Sequence, residues 1–442
     1  MTNHLNRLAL AFGAAFLAIA LATGYWSVIR GEALFARADN PRRVLVERRV
    51  ARGTIYDRSG AVLADVTGEP GALTRVYPYP QLAPVLGYVS PLFGSAGVEA
   101  ALDPVLHGDA GLDPATVYWR TTVLGAPPPG RAVKLSIDLP LQRAIDAALG
   151  DHVGAVVLLD ARTGEILAMA SHPTYDANQL EANWQSLVGD TNSPLLNRAT
   201  LALYQPGGVL WPVVLAGTVQ VGLTDLSQSY LVAQQAITVD GQTVLCRAAP
   251  PAQVLTMADA LSLGCPGPIA SLGQRLGAPA LAALFEQFQL YNAPALEIPT
   301  TATPAGQAVA DPAIYAIGQG ALNLTPLRAA LVMAAIARHG RMPAAHLVLA
   351  TQDPSGQWQT PAPPAGAVQV ASPLAADAVK ALMPDGLRAT ALTSTAGKTL
   401  AWYLGFAPAA DPNYVVAVLL EDGDLAAANS IGTAALAGTP SQ

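Results

Sequence analysis

The feature that most constrains this chain is one long apolar run near its N-terminus. Residues 8–29 are apolar apart from four positions, two of which are the aromatic pair Tyr25 and Trp26. Twenty-two residues in a helix measure about 33 Å, enough to cross the roughly 30 Å hydrocarbon core of a bilayer. Aromatic side chains at the distal end are typical of the membrane interface. The run predicts a membrane anchor; a cleaved signal peptide fits less well, because no A-x-A site follows before Arg30.

Composition predicts that the rest of the chain is folded. Of 442 residues, 52% are hydrophobic and 12% charged, which favours a large core over disorder. The net charge is −7 and no basic helix occurs, so nucleic-acid binding is disfavoured. No second apolar run of comparable length follows, so the chain crosses a membrane once at most. Arginines are more frequent after the run than before it, but long following domains translocate regardless of such counts, and charge alone leaves the orientation open.

The two cysteines and the histidines do not form a metal site by spacing. Cys246 and Cys265 are not part of a C-x-x-C pair, and the six histidines are scattered, so we predict neither a metal nor a cofactor. Outside the cytoplasm the two cysteines could form one disulfide that closes a short loop. Two free buried thiols are the alternative.

Alternation and turn residues predict an α+β domain after residue 131. A Pro/Gly-rich stretch at 126–131 separates it from a smaller region, giving predicted segments 1–30, 31–130 and 131–442. A short strand and a helix with Leu141, Ile145, Ala148 and Leu149 on one face are followed by a hairpin, with a turn at 160–164. Two more strands lie near the C-terminus and helices lie between, so we expect one antiparallel sheet built from both ends of the domain and flanked by helices.

Seven segments resemble class B penicillin-binding proteins in sequence and order, most closely the short-pedestal penicillin-binding protein A type. They are 52–64 (RGTIYDRSGAVLA), 75–108, 135–149, 160–178 (DARTGEILAMASHPTYDAN), 194–199, 317–337 and 396–408 (AGKTLAWYLGFAP). The resemblance implies an N-terminal transmembrane helix, a small pedestal domain similar to the family's dimerisation domain, and a transpeptidase domain with the fold of serine β-lactamases. It also implies a single-pass protein of the cell membrane whose bulk is extracytoplasmic.

The first catalytic motif of that family is damaged here. Acyl transfer needs a nucleophile, a base and oxyanion donors, which the family supplies from S-x-x-K, S-x-N and K-T-G. Its sequence around the nucleophile reads Y-x-P-G-S-x-x-K-P, whereas residues 204–212 read YQPGGVLWP. Gly208 has no nucleophile, and Trp211 cannot act as a base, so we expect the indole to fill the vacated site. No S-x-x-K lies elsewhere, because no serine stands three residues before any lysine: Lys134, Lys380 or Lys398.

The second motif, S-x-N, falls on Gly264-Cys265-Pro266, in register with Leu276-Gly277. Glycine and proline replace the hydroxyl and the amide, and proline also removes a backbone donor. Cys265 could be imagined as a substitute nucleophile, but the sequence offers no neighbouring base for it.

The third motif, K-T-G followed by Thr, is matched only in part, at Lys398-Thr399. Leu400 stands at the glycine position and would crowd a ligand laid along that strand. Lys398 and Thr399 are therefore candidate substrate-binding residues, with Lys398 positioned to bind a carboxylate; the alternative is that Lys398 is simply a strand-end residue.

Three damaged motifs predict a catalytically inactive scaffold or regulator of peptidoglycan synthesis, acting in cell division or elongation. Two alternatives stay open: a D,D-transpeptidase with residual activity or an unrecognised nucleophile, and a module that binds a muropeptide or β-lactam without acylation. The resemblance implies the lipid bilayer as a partner through residues 8–29. It further implies division or peptidoglycan-synthesis proteins, such as a membrane glycan polymerase, with peptidoglycan stem peptide or β-lactam as ligands under the alternatives.

Overall fold

The computed structural model describes residues 2–26, 30, 49–69, 71–231, 236–306, 308–393 and 397–440. Its first helix, α1 (Thr2–Gly24), contains one stretch, Leu5–Gly24, that is long and apolar enough to cross a membrane, and this stretch is fully exposed. This stretch overlaps the predicted span of 8–29. Residues 27–29 and 31–48 of the predicted anchor and pedestal lie outside the described residues.

Short elements make up the region that precedes residue 131. Its strands are β1 (Ile55–Tyr56), β2 (Val62–Thr67), β3 (Thr74–Val76), β4 (Val89–Ser90) and β5 (Gly94–Ser95). Its helices are α2 (Ala83–Leu86), α3 (Gly97–Ala101), α4 (Asp103–Leu106) and α5 (Pro114–Tyr118), the last continuing into a π-helical turn at Trp119–Val123.

Charge pairing holds this small region together around Glu99, whose side chain is fully buried. The carboxylate accepts from Arg52 Nε at 2.7 Å and from Arg75 Nε at 2.6 Å. Burial lowers the pKa of Arg52, but Glu99 and Asp103 more than offset this, so its net pKa is raised and it stays charged. A buried carboxylate with two guanidinium partners fixes strands that are too short to be stable alone.

The larger region carries the remaining elements. Its strands are β6 (Val133–Leu135), β7 (Gly154–Asp160), β8 (Ile166–His172), β9 (Ile237–Val239), β10 (Gln242–Val244), β11 (Arg341–Met342), β12 (Val348–Gln352), β13 (Trp358–Gln359), β14 (Val368–Gln369), β15 (Leu387–Leu392), β16 (Thr399–Ala407) and β17 (Tyr414–Leu420). Its helices are α6 (Leu139–Leu149), α7 (Leu180–Gly189), α8 (Trp211–Gln220), α9 (Met257–Leu263), α10 (Pro266–Gln287), α11 (Pro312–Ala316), α12 (Pro326–Ala337), α13 (Pro373–Lys380) and α14 (Leu425–Ala437).

A five-stranded antiparallel sheet in the order β15-β16-β17-β7-β8 forms the centre of this region. Strand residues alternate between two cores, as the two-residue period of a strand requires. Val157 belongs to the core on the side of α12, and Val156 to the core shared with α6 and α14. The α+β prediction is confirmed, including the joining of N-terminal and C-terminal strands, although Ala148 of the predicted α6 face is exposed.

A second sheet joins strands from both sides of residue 130. Its order is β13-β12-β6-β1-β2-β3, in which β1 pairs in parallel with β6, and β6 pairs with β12. The small and large regions therefore share one hydrogen-bonded sheet rather than meeting only through side chains.

Candidate active-site remnant

The segment that precedes Gly208 is fixed on several sides. Tyr204 Oη donates to Glu421 Oε1 at 2.7 Å, and Arg198 Nε donates to the same oxygen at 2.9 Å. Burial, followed by the carboxylate of Glu421, raises the pKa of Tyr204, so the phenol remains a donor. Trp402 Nε1 donates to the carbonyl of Gln205 at 3.1 Å. These bonds set the chain at the start of a short 3₁₀ helix, Gly207–Leu210, which leads directly into α8.

Gly207 and Gly208 lie against the edge strand β15. Gly207 has φ +52°, a left-handed conformation that favours glycine, and a Cβ there would meet the carbonyl oxygen of Thr390 at 2.1 Å. A Cβ on Gly208 would lie 2.8 Å from Ala389 Cβ and 3.5 Å from Trp211 Cε2. The space that a serine side chain would need at residue 208 is thus taken by the methyl group of Ala389.

Two residues of the second predicted motif, Gly264 and Pro266, line the same cavity as Trp211 and Ala389. Gly264 ends α9 in a left-handed conformation, Cys265 is buried, and Pro266 opens α10. A Cβ on Gly264 would meet Arg247 Nη1 at 2.9 Å, so the absence of a side chain makes room for that guanidinium. Pro266 contributes no N–H donor at a helix start that otherwise carries free ones.

Arg247 closes the space between the second motif and β15. Its Nη1 donates to the carbonyl of Arg388 at 2.9 Å, and its Nη2 donates to the carbonyl of Ser262. Burial, followed by the charge of Arg388, lowers the pKa of Arg247. The neighbouring Cys246 is joined to Cys265 by a disulfide. The segment carrying Arg247 is thereby tied over the remnant both covalently and by hydrogen bonds.

What remains between these segments is a cavity of about 20 Å³. A single water molecule needs roughly 10–15 Å³, so this cavity has room for little more than one. Trp211 is 6% exposed, and its Nε1 has no hydrogen-bond partner. The described lining comprises Trp211, Val244, Leu245, Arg247, Gly264, Pro266, Ile317, Gln319, Arg388, Ala389 and Thr390.

The structure therefore brings the predicted first and second motif positions together, but not the predicted third. Lys398 is exposed in the turn between β15 and β16, where its carbonyl accepts from Thr393 N at 3.2 Å. Thr399 pairs with Leu392, three residues along β15 from Ala389, or about 10 Å. Leu400 is buried in the core. The strand that faces Gly208 is β15, so Lys398 and Thr399 stay predicted substrate-binding residues that the structure does not place beside Gly208.

Sequence reasoning missed Arg247 and the Leu387–Thr390 segment of β15. That segment reads LRAT, in which Thr390 is the one residue type shared with K-T-G-T, so little in its sequence points to the site. For Arg247 the one usable signal was its position beside Cys246, since a disulfide to Cys265 would bring it to the second motif.

Comparison with known proteins gives matches to penicillin-binding proteins over most of the chain. Residues 154–399 match the family model described as penicillin binding protein transpeptidase domain, and residues 52–133 match the penicillin binding protein A dimerisation domain. The chain is 30% identical to the peptidoglycan D,D-transpeptidase PbpA of Mycolicibacterium smegmatis, over 96% of this chain and 94% of that protein. It has the same identity to PbpA of Mycobacterium tuberculosis, over the same shares.

Solved structures that are similar to this chain also include penicillin-binding proteins. Penicillin-binding protein A from M. tuberculosis, as an imipenem acyl-enzyme complex, superposes with a TM-score of 0.79 at 29% identity, covering 89% of this chain and 99% of that one. The D,D-transpeptidase domain of a peptidoglycan glycosyltransferase from Eggerthella lenta gives 0.77 at 27% identity, covering 88% and 98%.

Proposed function

This chain belongs to the class B penicillin-binding proteins, and from that membership we propose that it is a catalytically inactive member, a scaffold or regulator of peptidoglycan synthesis. The observation that carries the proposal is the contact between residue 208 and β15. Gly208 supplies no nucleophile, and Ala389 Cβ lies 2.8 Å from where a serine Cβ would stand. The substitution that removed the hydroxyl is thus matched by a second one that fills its place.

The chemistry around the remnant supports the same conclusion. Serine acylation needs a base beside the nucleophile, and the described lining of the cavity contains no Lys, His, Asp or Glu. Trp211 stands at the position of the family's lysine and is buried. Cys265 is held in a disulfide, so it has no thiolate with which to attack. A cavity the size of one water molecule also disfavours non-covalent binding of a muropeptide or β-lactam at this place.

Labelling with a fluorescent penicillin tests the proposal directly. The M. tuberculosis relative, whose solved structures include imipenem and penicillin G acyl-enzyme complexes, is the positive control. We expect no covalent band on this protein under conditions that label the control fully. A band that survives denaturation would overturn the proposal and favour residual D,D-transpeptidase activity, with the acylated residue then located by mass spectrometry.

We also propose that α1 anchors the protein as a single span with the bulk of the chain outside the cytoplasm. The exposed apolar stretch Leu5–Gly24 supports an anchor, and the Cys246–Cys265 disulfide supports an oxidising compartment. A reporter that is active only outside the cytoplasm, fused after Gln442, should be active. If a reporter that works only in the cytoplasm were active at that site instead, the proposed orientation would be wrong.

The partners we propose are other proteins of peptidoglycan synthesis or division, such as a membrane glycan polymerase, contacted through the anchor and pedestal. Family membership and the sheet shared between the small and large regions support a rigid pedestal suited to this role. Photocrosslinking in membranes from Leu92, an exposed residue of the pedestal, and from Leu374, an exposed residue of the large region, tests the proposal. Equal recovery of the same partners from both positions would refute the role of the pedestal.

A further inference from the structure

One helical segment of the pedestal carries large apolar side chains that the described residues leave exposed. Helix α5 (Pro114–Tyr118) and the π-helical turn at Trp119–Val123 form ten helical residues, here called the pedestal arm. None of the arm residues with a described side chain is buried. Isolated helices shorter than about 12–15 residues are marginal in water, and most protein helices are stabilised by packing an apolar face. The arm therefore lacks the packing that a helix of this length needs.

The side chains that the arm exposes are large and apolar. Tyr118 is 58% exposed, Trp119 56% and Val123 51%, and Leu124, directly after the arm, is 59% exposed. Four such residues within seven positions, here called the apolar patch, are more concentrated than the singly scattered apolar residues of an ordinary surface. Asp113 caps the arm, its Oδ1 accepting from Thr116 N at 2.9 Å, so the helical start itself is well formed.

The position of the arm points to the membrane. Arg49 is the first residue described after the 31–48 segment that follows the anchor, and its Nη1 lies 3.9 Å from where a Cβ on Gly125 would stand, just past the end of the arm. The chain that leads from α1 thus rejoins the described part of the protein beside the arm. Arg49 and the half-buried Arg120 add positive charge beside the aromatic side chains.

These observations match the composition of an interfacial helix. Tyr and Trp concentrate where the headgroups meet the hydrocarbon, and arginines beside them are attracted to anionic lipid. We propose that the pedestal arm inserts its apolar patch into the outer headgroup region of the bilayer, as a second membrane contact beside the anchor. The inference rests on the anchoring proposed above. Together the two contacts would fix the tilt of the pedestal, which a single span followed by a linker cannot do.

Site-specific photocrosslinking on the full chain in liposomes containing anionic lipid tests this inference. A benzophenone amino acid replaces Trp119, and a matched protein carries it at Trp358, an aromatic residue that is 43% exposed on β13. We expect lipid adducts at residue 119 and none at residue 358. Adducts from residue 119 to residues 31–48 of the same chain, to a second copy or only to solvent would each overturn the inference.

A second measurement uses variants that keep the fold. Tyr118→Ser and Leu124→Ser change exposed side chains, so the thermal unfolding midpoint of the large region should not move. Quenching of a fluorophore attached at residue 123 by lipids that carry a headgroup-level quencher should fall at least about threefold in the double variant. Unchanged quenching would refute lipid insertion. Whether the protein in the same liposomes resists extraction by carbonate shows separately whether α1 is inserted. A failure of the anchor can therefore be distinguished from a failure of the arm.

Discussion

Replacing Gly208 with alanine tests the contact on which the proposed inactivity depends. Gly208 lies in a helical turn outside the left-handed region, so alanine is compatible with its backbone. In an open helical site this change stabilises by about 0.5–1 kcal/mol, because glycine loses more backbone freedom on folding. Any net loss of stability must therefore come from contacts between the new methyl group and neighbouring atoms.

The structure gives the size of that loss. The added Cβ would lie 2.8 Å from Ala389 Cβ, whereas ordinary contacts are 3.4–4 Å. Ala389 is held by pairing with Trp402 of β16, so the methyl group cannot move away without moving the strand. Forcing an extra methyl group into such a site costs about 1–3 kcal/mol. Subtracting the intrinsic gain of about 0.5–1 kcal/mol leaves a net destabilisation of up to about 2.5 kcal/mol for Gly208→Ala.

The assay is a double-mutant cycle in urea unfolding, made from Gly208→Ala, Ala389→Gly and the pair. Ala389→Gly alone should destabilise by about 0.5–1 kcal/mol, and in the pair the clash should disappear, giving a favourable coupling of about 1–3 kcal/mol. Gly189→Ala is the matched control, since a Cβ on that α7 residue meets nothing within 4 Å. A Gly208→Ala protein as stable as Gly189→Ala, with coupling below about 0.5 kcal/mol, would refute the reasoning.

Three further outcomes follow from neighbouring contacts. Gly208→Ser combined with Trp211→Lys should not restore labelling by fluorescent penicillin, because Ala389 and Arg247 still occupy the space beside residue 208; labelling of this double variant would contradict the steric argument. Reduction by a dithiol should lower the free energy of unfolding by about 3 kcal/mol, because the disulfide closes a loop across 19 residues, and a Cys246→Ser protein should not respond to the reductant. Burial lowers the pKa of His172, but hydrogen bonds to Asp146 and the Gly150 carbonyl raise it by a larger amount, so the net pKa lies above 6.5. The stability lost in His172→Gln should therefore be greatest below pH 6.5 and shrink as pH rises through the folded pKa; a loss that grows with pH in thermal unfolding would contradict this.

Local patterns predicted the parts of the fold that depend on local chemistry. The β7–β8 hairpin follows from two apolar runs around a turn that ends at Gly164, and the first motif from flanking residues that survive around Gly208. Such local patterns do not determine which distant strands pair with each other. Lys398 and Thr399 match letters of the third motif, whereas β15, the strand that contacts Gly208, has no residue of K-T-G at 387–389.

The same limit applies to Arg247. It stands 141 residues from Arg388, whose carbonyl it binds, and no spacing rule connects two such positions. Only the fold and the disulfide bring them together. A residue that blocks a site is also harder to recognise than one that catalyses, since blocking needs bulk and a hydrogen bond rather than a particular functional group at a particular spacing.

The residues at the predicted motif positions contact their neighbours in ways that support the proposal of a stable fold without acyl-transfer chemistry. Loss of a serine side chain at 208 would leave a void, and voids in a close-packed interior cost stability. Ala389 fills that void, and the buried indole of Trp211 contributes apolar burial worth a few kcal/mol, against about 1–3 kcal/mol for its unpaired N–H. Glycine at 264 admits the Arg247 guanidinium, which satisfies two carbonyls. Each replacement is stable because the others are present, so no single reversal would recover a working site.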